Sequence, residues 1–143
     1  MDVINRSAVI VMPAEPFLKW LQRADPTSGQ LTLADLRREP TIYLLPPYDT
    51  EEEALTHLEE MCAEIFEEQL DGWYRVPSSW PVNRTFDTFK RWFEYRFHSM
   101  LADLCEDPLE TRRVVTQGTP RNPRSDIQSH SWTLRVRKMS ISI

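Results

Sequence analysis

The sequence contains few of the residues that build covalent frameworks or phosphate-binding loops. Among its 143 residues there are two cysteines and three glycines. Two cysteines are too few for a disulfide framework or a cysteine-based zinc cluster, and we expect Cys62 and Cys105 to be buried, reduced thiols on the apolar faces of helices. No Gly-x-Ser-x-Gly elbow and no glycine-rich phosphate loop occurs, which argues against acyl-transfer and nucleotide chemistry. We therefore expect no cofactor.

The sequence also lacks a long hydrophobic run. The longest, Ala8 to Met12, is far shorter than the roughly 20 residues of a membrane-spanning helix and too short for the core of a signal peptide. Hydrophobic residues make up 41% and charged residues 27%, which is typical of a globular protein with one core at this length. We expect a cytoplasmic protein with no membrane partner.

Two short apolar runs rich in β-branched residues, Ser7–Met12 and Thr41–Leu45, predict strands. Their crossover should be right-handed if they run parallel. Because an isolated pair of strands is marginal in water, the sheet would gain from a third strand, for which residues 131–137 of the C-terminal segment and a partner chain are the two candidates. A homodimer is therefore one option.

Helical periodicity predicts two long helices behind these strands. Thr50 and Glu53 form a capping-box pattern before the clearest helix, which is expected to end near Gly72. A last long helix is predicted from about Thr85 to Cys105, and shorter helices lie between the two strands. The fold class is therefore α/β (α+β), in the order β-α-α-β-α-α, with a small two- or three-stranded sheet packed by two long helices.

Three strings resemble a family of small bacterial proteins of unknown function over about residues 5–109: EEQLDGWYRVPSSWP at 67–81, WFEYRFHSMLADLCEDPL at 92–109, and DLRREPTIYL at 35–44. The resemblance implies a bacterial, cytoplasmic protein and brings no activity or site residue with it. Proteins of that family finish soon after the segment that matches 103–109. Residues 1–110 are therefore predicted to form one globular domain. Residues 111–143 would be a basic extension, loop or disordered, which is either genuine or the product of a frameshift.

Charge is distributed unevenly along the chain. Ten acidic residues and no lysine or arginine lie between Asp49 and Asp71, whereas residues 112–143 hold seven basic residues and one acidic residue. The acidic helix is either a solvated surface, a docking surface for a basic partner, or the contact for the basic tail. An acidic body repels phosphates, so nucleic acid is disfavoured as a partner.

Two groups of polar residues contain the side-chain types that metal binding or acid/base catalysis requires. Glu53, His57, Glu60 and Glu64 share one helix face, but their order is Glu-x-x-x-His and not the Glu-x-x-His of di-iron bundles. The apolar stripes also predict that the cysteine-bearing faces of the two long helices meet, and not their polar faces, so no metal site is predicted. Glu94 and His98, four residues apart on the predicted last helix, are weak candidates for an acid/base pair.

The aromatic segment at residues 73–81 is the most site-like feature of the sequence. Aromatic rings with an arginine recognise planar or anionic ligands and are common at protein interfaces, although large rings also fill small cores. We expect a protein-interaction or regulatory binding domain; the alternative is an enzyme that uses Glu94 and His98 beside this segment. The candidate binding residues are Trp73, Tyr74, Arg75, Trp80, Glu60, Glu64, Glu67 and Glu68.

Overall fold

A computed structural model describes residues 1–113 of the chain. Helices and strands are both present, so the predicted α+β class is confirmed. The elements in chain order are β1 (Asp2–Val3), β2 (Ser7–Pro13), α1 (Glu15–Ala24), α2 (Leu33–Leu36), β3 (Thr41–Leu45), α3 (Glu51–Trp73), α4 (Phe86–Trp92), β4 (Phe93–His98) and β5 (Ala102–Asp103), with 3-10 turns at Pro26–Ser28 and Pro77–Ser79.

The main sheet has three antiparallel strands in the order β3-β2-β4. Val9 of the central strand lies opposite Tyr43 on one side and opposite Phe97 on the other. The short strands β1 and β5 form a separate antiparallel pair. Since β2 and β3 run antiparallel, the handedness rule for parallel crossovers does not apply to them.

The predicted last helix, from Thr85 to Cys105, is wrong in its second half. Helix α4 ends at Trp92, and Phe93 already has extended backbone angles, with φ −134° and ψ 147°. From there aromatic and polar residues alternate along β4, which gives the strand one buried face against the core. The third strand therefore comes from β4, and residues 1–113 contain one long helix rather than the two predicted. The strand predicted at 131–137 lies outside the described residues.

Helix α3 follows the sequence prediction closely. The Thr50 side chain accepts a hydrogen bond from the Glu53 backbone N–H at 3.2 Å and caps the helix. Its apolar stripe is buried against the sheet and α4, and Leu58, Phe66 and Leu70 are fully enclosed. The helix runs to Trp73, one residue past the predicted glycine end.

The core is dominated by aromatic rings from α1, α3, α4 and β4. Phe66 lies 5.0 Å from Phe93, and Phe93 lies 4.8 Å from Phe89, measured between ring centroids. Phe17 contacts Phe93 at 5.4 Å. Separations of this size are those at which aromatic pairs stabilise each other beyond the area they bury. This cluster holds the N-terminal end of β4 against the middle of α3.

Candidate functional site

The aromatic segment at 73–81 forms part of the core more than it forms a binding surface. Trp80 is 5% exposed, and its indole N–H donates to the Tyr74 carbonyl oxygen at 2.8 Å. The indole N–H of Trp20, on α1, donates to the Ser79 carbonyl oxygen at 2.8 Å. These two bonds close the loop onto the body of the protein. Trp73 and Tyr74 are half-buried, and of the four predicted binding residues in this segment only Arg75 is exposed.

The structure divides the acidic residues of α3 into two groups. The C-terminal group is held by contacts within the protein. Glu67 forms an ion pair with Arg84 at 3.2 Å, and Glu68 accepts a hydrogen bond from the Tyr43 hydroxyl. Of the four acidic residues predicted to bind a partner, Glu67 and Glu68 therefore contact other residues of this protein. Glu60 and Glu64 do not take part in these two contacts.

The N-terminal two thirds of α3 carry carboxylates that face solvent. Within residues 1–113 none of them forms an ion pair. We call this set the acidic surface; its members are Glu51, Glu52, Glu59, Glu60 and Glu64, all exposed. Glu53, beside them, accepts a hydrogen bond from the Asp49 backbone N–H at 2.9 Å.

Cys62 lies on the buried side of α3, beneath the acidic surface. Burial raises the pKa of its thiol, and the Glu59 carboxylate raises that pKa further. The thiol therefore stays protonated and unreactive at neutral pH. Cys105 was also expected to be buried in a helix, but it is exposed and follows β5. That prediction is wrong because the helix ends at Trp92.

An open cleft lies at the N-terminal end of the acidic surface. It has a volume of about 390 Å³ and is lined by Tyr48, Glu51, Tyr95, Arg96 and Phe97. The ring of Phe97 lies 5.9 Å from that of Tyr48 and 5.6 Å from that of Tyr95. Three aromatic residues, one acidic residue and one arginine thus line one open space.

The path of the chain after β3 explains how Tyr48 reaches this cleft. The Ser7 hydroxyl at the start of β2 donates to the Pro46 carbonyl oxygen at 2.7 Å. The Pro46-Pro47 pair is stiff and extended, and it carries the chain past the end of β2 to the side of β4. Sequence reasoning missed Tyr48 because its neighbour Phe97 was placed on a helix.

Glu94 and His98 lie on β4, so they are not one helical turn apart as predicted. Both are exposed on the face of the sheet that points away from the core. Four residues along a strand span roughly 13 Å, too far for a hydrogen bond between the two side chains. Glu94 instead pairs with Arg37 at 3.3 Å. The geometric premise of an acid/base pair is therefore wrong.

Across residues 1–113, no three or more histidine, cysteine, aspartate or glutamate side chains come together in a group that could hold a metal ion. In the same part of the chain no helix combines the length and the apolar character that crossing a membrane requires. Comparison of the chain with protein-family models, with curated proteins and with solved structures gave no match. The resemblance to a bacterial family stays a prediction, and function has to be argued from the geometry alone.

Proposed function

We propose that this protein is an interaction domain that binds a basic segment of a partner protein along the acidic surface of α3. One observation carries the proposal: within residues 1–113 the carboxylates of that surface are exposed and make no ion pair. A row of like charges on a rigid element steers an oppositely charged partner toward it. The helix supplies the rigidity, because its other side is locked into the core.

The spacing of the carboxylates suits an extended chain. Residues four apart on a helix, such as Glu60 and Glu64, are separated by about 6 Å along the axis. Alternate residues of an extended peptide are about 6.6 Å apart and point the same way. A segment with a lysine or arginine at every second position can therefore place two successive cations near Glu60 and Glu64, the one pair of this surface that is four residues apart.

Charge alone gives weak binding. An exposed ion pair contributes about 0.2–1 kcal/mol, so four or five of them contribute about 1–5 kcal/mol. A dissociation constant of 1 mM corresponds to about 4 kcal/mol. Complexes held only by the acidic surface should therefore have dissociation constants in the millimolar range or weaker, and they should weaken further as salt is added.

The test is a nuclear magnetic resonance titration of the full chain with a peptide in which lysine alternates with serine. Neutralising two carboxylates with Glu60→Gln and Glu64→Gln should weaken binding about threefold to tenfold at low salt. Glu39→Gln with Asp107→Asn changes the net charge equally at exposed positions outside α3 and should change binding less than twofold. Equal effects of the two pairs would mean that only net charge matters, and the proposal would fail.

A second copy of the chain is one candidate partner, because residues 112–143 carry seven basic residues against one acidic residue. Light scattering of the full chain at low and high salt tests this directly. A dimer that dissociates as salt is added would assign the acidic surface to self-association. A monomer under both conditions would leave a different basic protein as the partner.

A further inference from the structure

The outer face of the main sheet, which points away from the core, is apolar on the side of β3. Ile42 and Leu44 of this strand are 57% and 54% exposed. Ile10 of the neighbouring strand β2 lies directly opposite Ile42 and is half-buried. Aliphatic side chains on adjacent strands thus form one apolar patch, and a contiguous exposed patch is typical of an interaction surface.

Strand β3 also lies at an edge of this sheet. The described residues place β2 on one side of β3 and no strand on its other side. An edge strand presents backbone N–H and C=O groups for pairing with a further strand, and proteins usually protect such an edge with a charge, a proline or a bulge. Thr41–Leu45 contains neither a charge nor a proline, and its register with β2 is unbroken. The edge of β3 is therefore ready to accept a strand.

The opposite edge of the sheet, β4, differs in its outer side chains. Glu94, Arg96 and His98 are exposed there on the face that points away from the core. Charged and polar side chains along an edge discourage an apolar strand from pairing beside them. Of the two edges, β3 is the one that suits an apolar segment.

Carboxylates of α3 lie beside the inner face of β3. The Tyr43 hydroxyl donates to Glu68, which fixes that carboxylate next to the strand. Glu64 lies one helical turn earlier on the same side of α3 and is exposed. A strand added to β3 would therefore meet an apolar patch on its outer face and carboxylates on its inner face. Such a strand needs apolar and cationic residues in alternation.

Residues 132–137 of the same chain have this alternation. The residues in order are Trp132, Thr133, Leu134, Arg135, Val136 and Arg137. Because the side chains of a strand point alternately to its two faces, a strand of this sequence has the three apolar side chains on one face and both guanidinium groups on the other. The two faces match the apolar and the acidic surroundings of the β3 edge.

The chain is long enough to bring this segment back to β3. Residues 114–131 lie between the described part of the chain and the segment, and fully extended they span about 60 Å. A domain of about 100 residues has a radius of gyration of only about 13 Å. Because the segment is tethered to the domain, weak pairing is enough to hold it there.

We propose that residues 132–137 add to the edge of β3 as a fourth strand of the main sheet. The apolar side chains of the segment then extend the patch at Ile42 and Leu44, and its arginines lie near Glu64 and Glu68. The inference goes beyond the proposed function, because it concerns the completion of the sheet by the chain itself and not the binding of a partner.

The test is amide hydrogen exchange of the full chain, measured residue by residue by nuclear magnetic resonance. All amides of Thr41–Leu45 should exchange slowly, including the alternate ones that point away from β2. Leu134→Asp places a charge on the apolar face of the segment. It should speed exchange of those alternate amides about fivefold to tenfold, which corresponds to about 1–1.4 kcal/mol.

Leu109→Asp is the matched control, because it makes the same change at a leucine that is 67% exposed. It should alter exchange of the β3 amides by less than about twofold. Fast exchange of the alternate amides in the unmodified protein would overturn the proposal, and so would equal effects of the two variants.

The charged face of the segment has its own test. Replacing Arg135 and Arg137 together with glutamine should speed exchange of the same amides about twofold to fivefold at low salt. Replacing Arg121 and Arg124 with glutamine removes equal charge from the tail outside the segment and should have less than about a twofold effect. Equal effects of the two pairs would mean that only the net charge of the tail matters, which would overturn the assigned pairing.

Light scattering distinguishes the chain's own segment from that of a second copy. A monomer with slowly exchanging β3 amides supports the proposal. A dimer that Leu134→Asp converts to monomers would mean that the segment pairs with β3 of another copy, and it would overturn the assignment within one chain. Failure of the lysine–serine peptide to bind, in a protein whose β3 amides are protected, would remove the proposed function and leave this inference standing.

Discussion

Replacing Trp80 with phenylalanine should destabilise the fold without specifically weakening the binding of a basic peptide. The Trp80 side chain is 5% exposed, and its indole N–H donates to the Tyr74 carbonyl oxygen. Phenylalanine keeps a six-membered ring in the pocket but has no donor. The part-buried carbonyl of Tyr74 then loses its partner, which costs about 1–3 kcal/mol.

The smaller ring also leaves space behind. Loss of the five-membered part of the indole removes buried apolar contact worth about 1 kcal/mol. Together the two effects predict a decrease of about 2–4 kcal/mol in the free energy of unfolding. For a domain of this size the melting temperature should fall by about 6–12 °C.

The assay is urea unfolding of the full chain followed by far-ultraviolet circular dichroism, which does not depend on the tryptophan that is removed. Val82→Ala is a suitable control, because Val82 is 95% exposed and follows the same loop; it should change the free energy by less than about 0.5 kcal/mol. A loss below about 1 kcal/mol for Trp80→Phe, with an unchanged dependence on urea, would refute the placement of Trp80 in the core. The aromatic segment at 73–81 would then again be a candidate binding surface.

Three further predictions concern single groups. A thiol reagent at neutral pH should modify Cys105 rapidly and Cys62 only on unfolding, because burial and a nearby carboxylate raise the pKa of the Cys62 thiol; rapid modification of both thiols in the folded protein would contradict this. Glu94→Gln and His98→Ala, at exposed positions on β4, should each change the free energy of unfolding by less than about 1 kcal/mol in thermal melts, and a larger loss would mean that the outer face of the sheet is covered. Thr32 and Asp35 form a capping box at the start of α2, in which the Thr32 N–H and hydroxyl donate to the Asp35 carboxylate and lower its pKa. The contribution of Asp35 to stability is therefore present above the ordinary aspartate range and is lost as pH falls through the lowered pKa, and an ordinary Asp35 pKa in a resonance titration would contradict this capping box.

The sequence predicted correctly those helices and strands whose formation depends on residues close together in the chain. Thr50 before a run of helical periodicity gave the correct start of α3, and its apolar stripe is the face that the core buries. The apolar run at Ser7–Met12 predicted the strand β2 correctly, and Val9 is fully buried on its inner face. The other face of the sheet is open, since Ile42 and Leu44 of β3 are 57% and 54% exposed there. In these cases the sequence pattern has one reading only.

The segment from Phe86 to His98 has two readings. Phe86, Phe89 and Phe93 recur at three- and four-residue spacing, which is helical, yet Phe93 and Phe97 also fit an alternating pattern with Tyr95 between them. Aromatic residues are favoured in strands, and this was the signal available for placing β4 correctly. Residues 93–98 form a strand because they pair with β2. Since β2 is distant in the chain, this pairing cannot be predicted from the local residue pattern.

The same distinction between local patterns and contacts between distant elements applies to the candidate site. The exposure of the acidic residues on the N-terminal part of α3 was foreseen, because helical periodicity separates them from the buried stripe. That Glu67 and Glu68 have partners in Arg84 and Tyr43 could not be foreseen, since those partners come from other elements. The cleft depends on Tyr48 meeting Phe97 across the end of β2, which is a property of strand order and not of composition.

The position of β2 at the centre of the sheet has a consequence for synthesis on the ribosome. This apolar strand is made well before its neighbour β4, in which Phe97 lies opposite Val9. At about 5–20 residues per second, one edge of β2 stays unpaired for roughly 4–18 s. During that interval an apolar edge is open to pairing with other chains, and the sheet can be completed only after β4 leaves the exit tunnel.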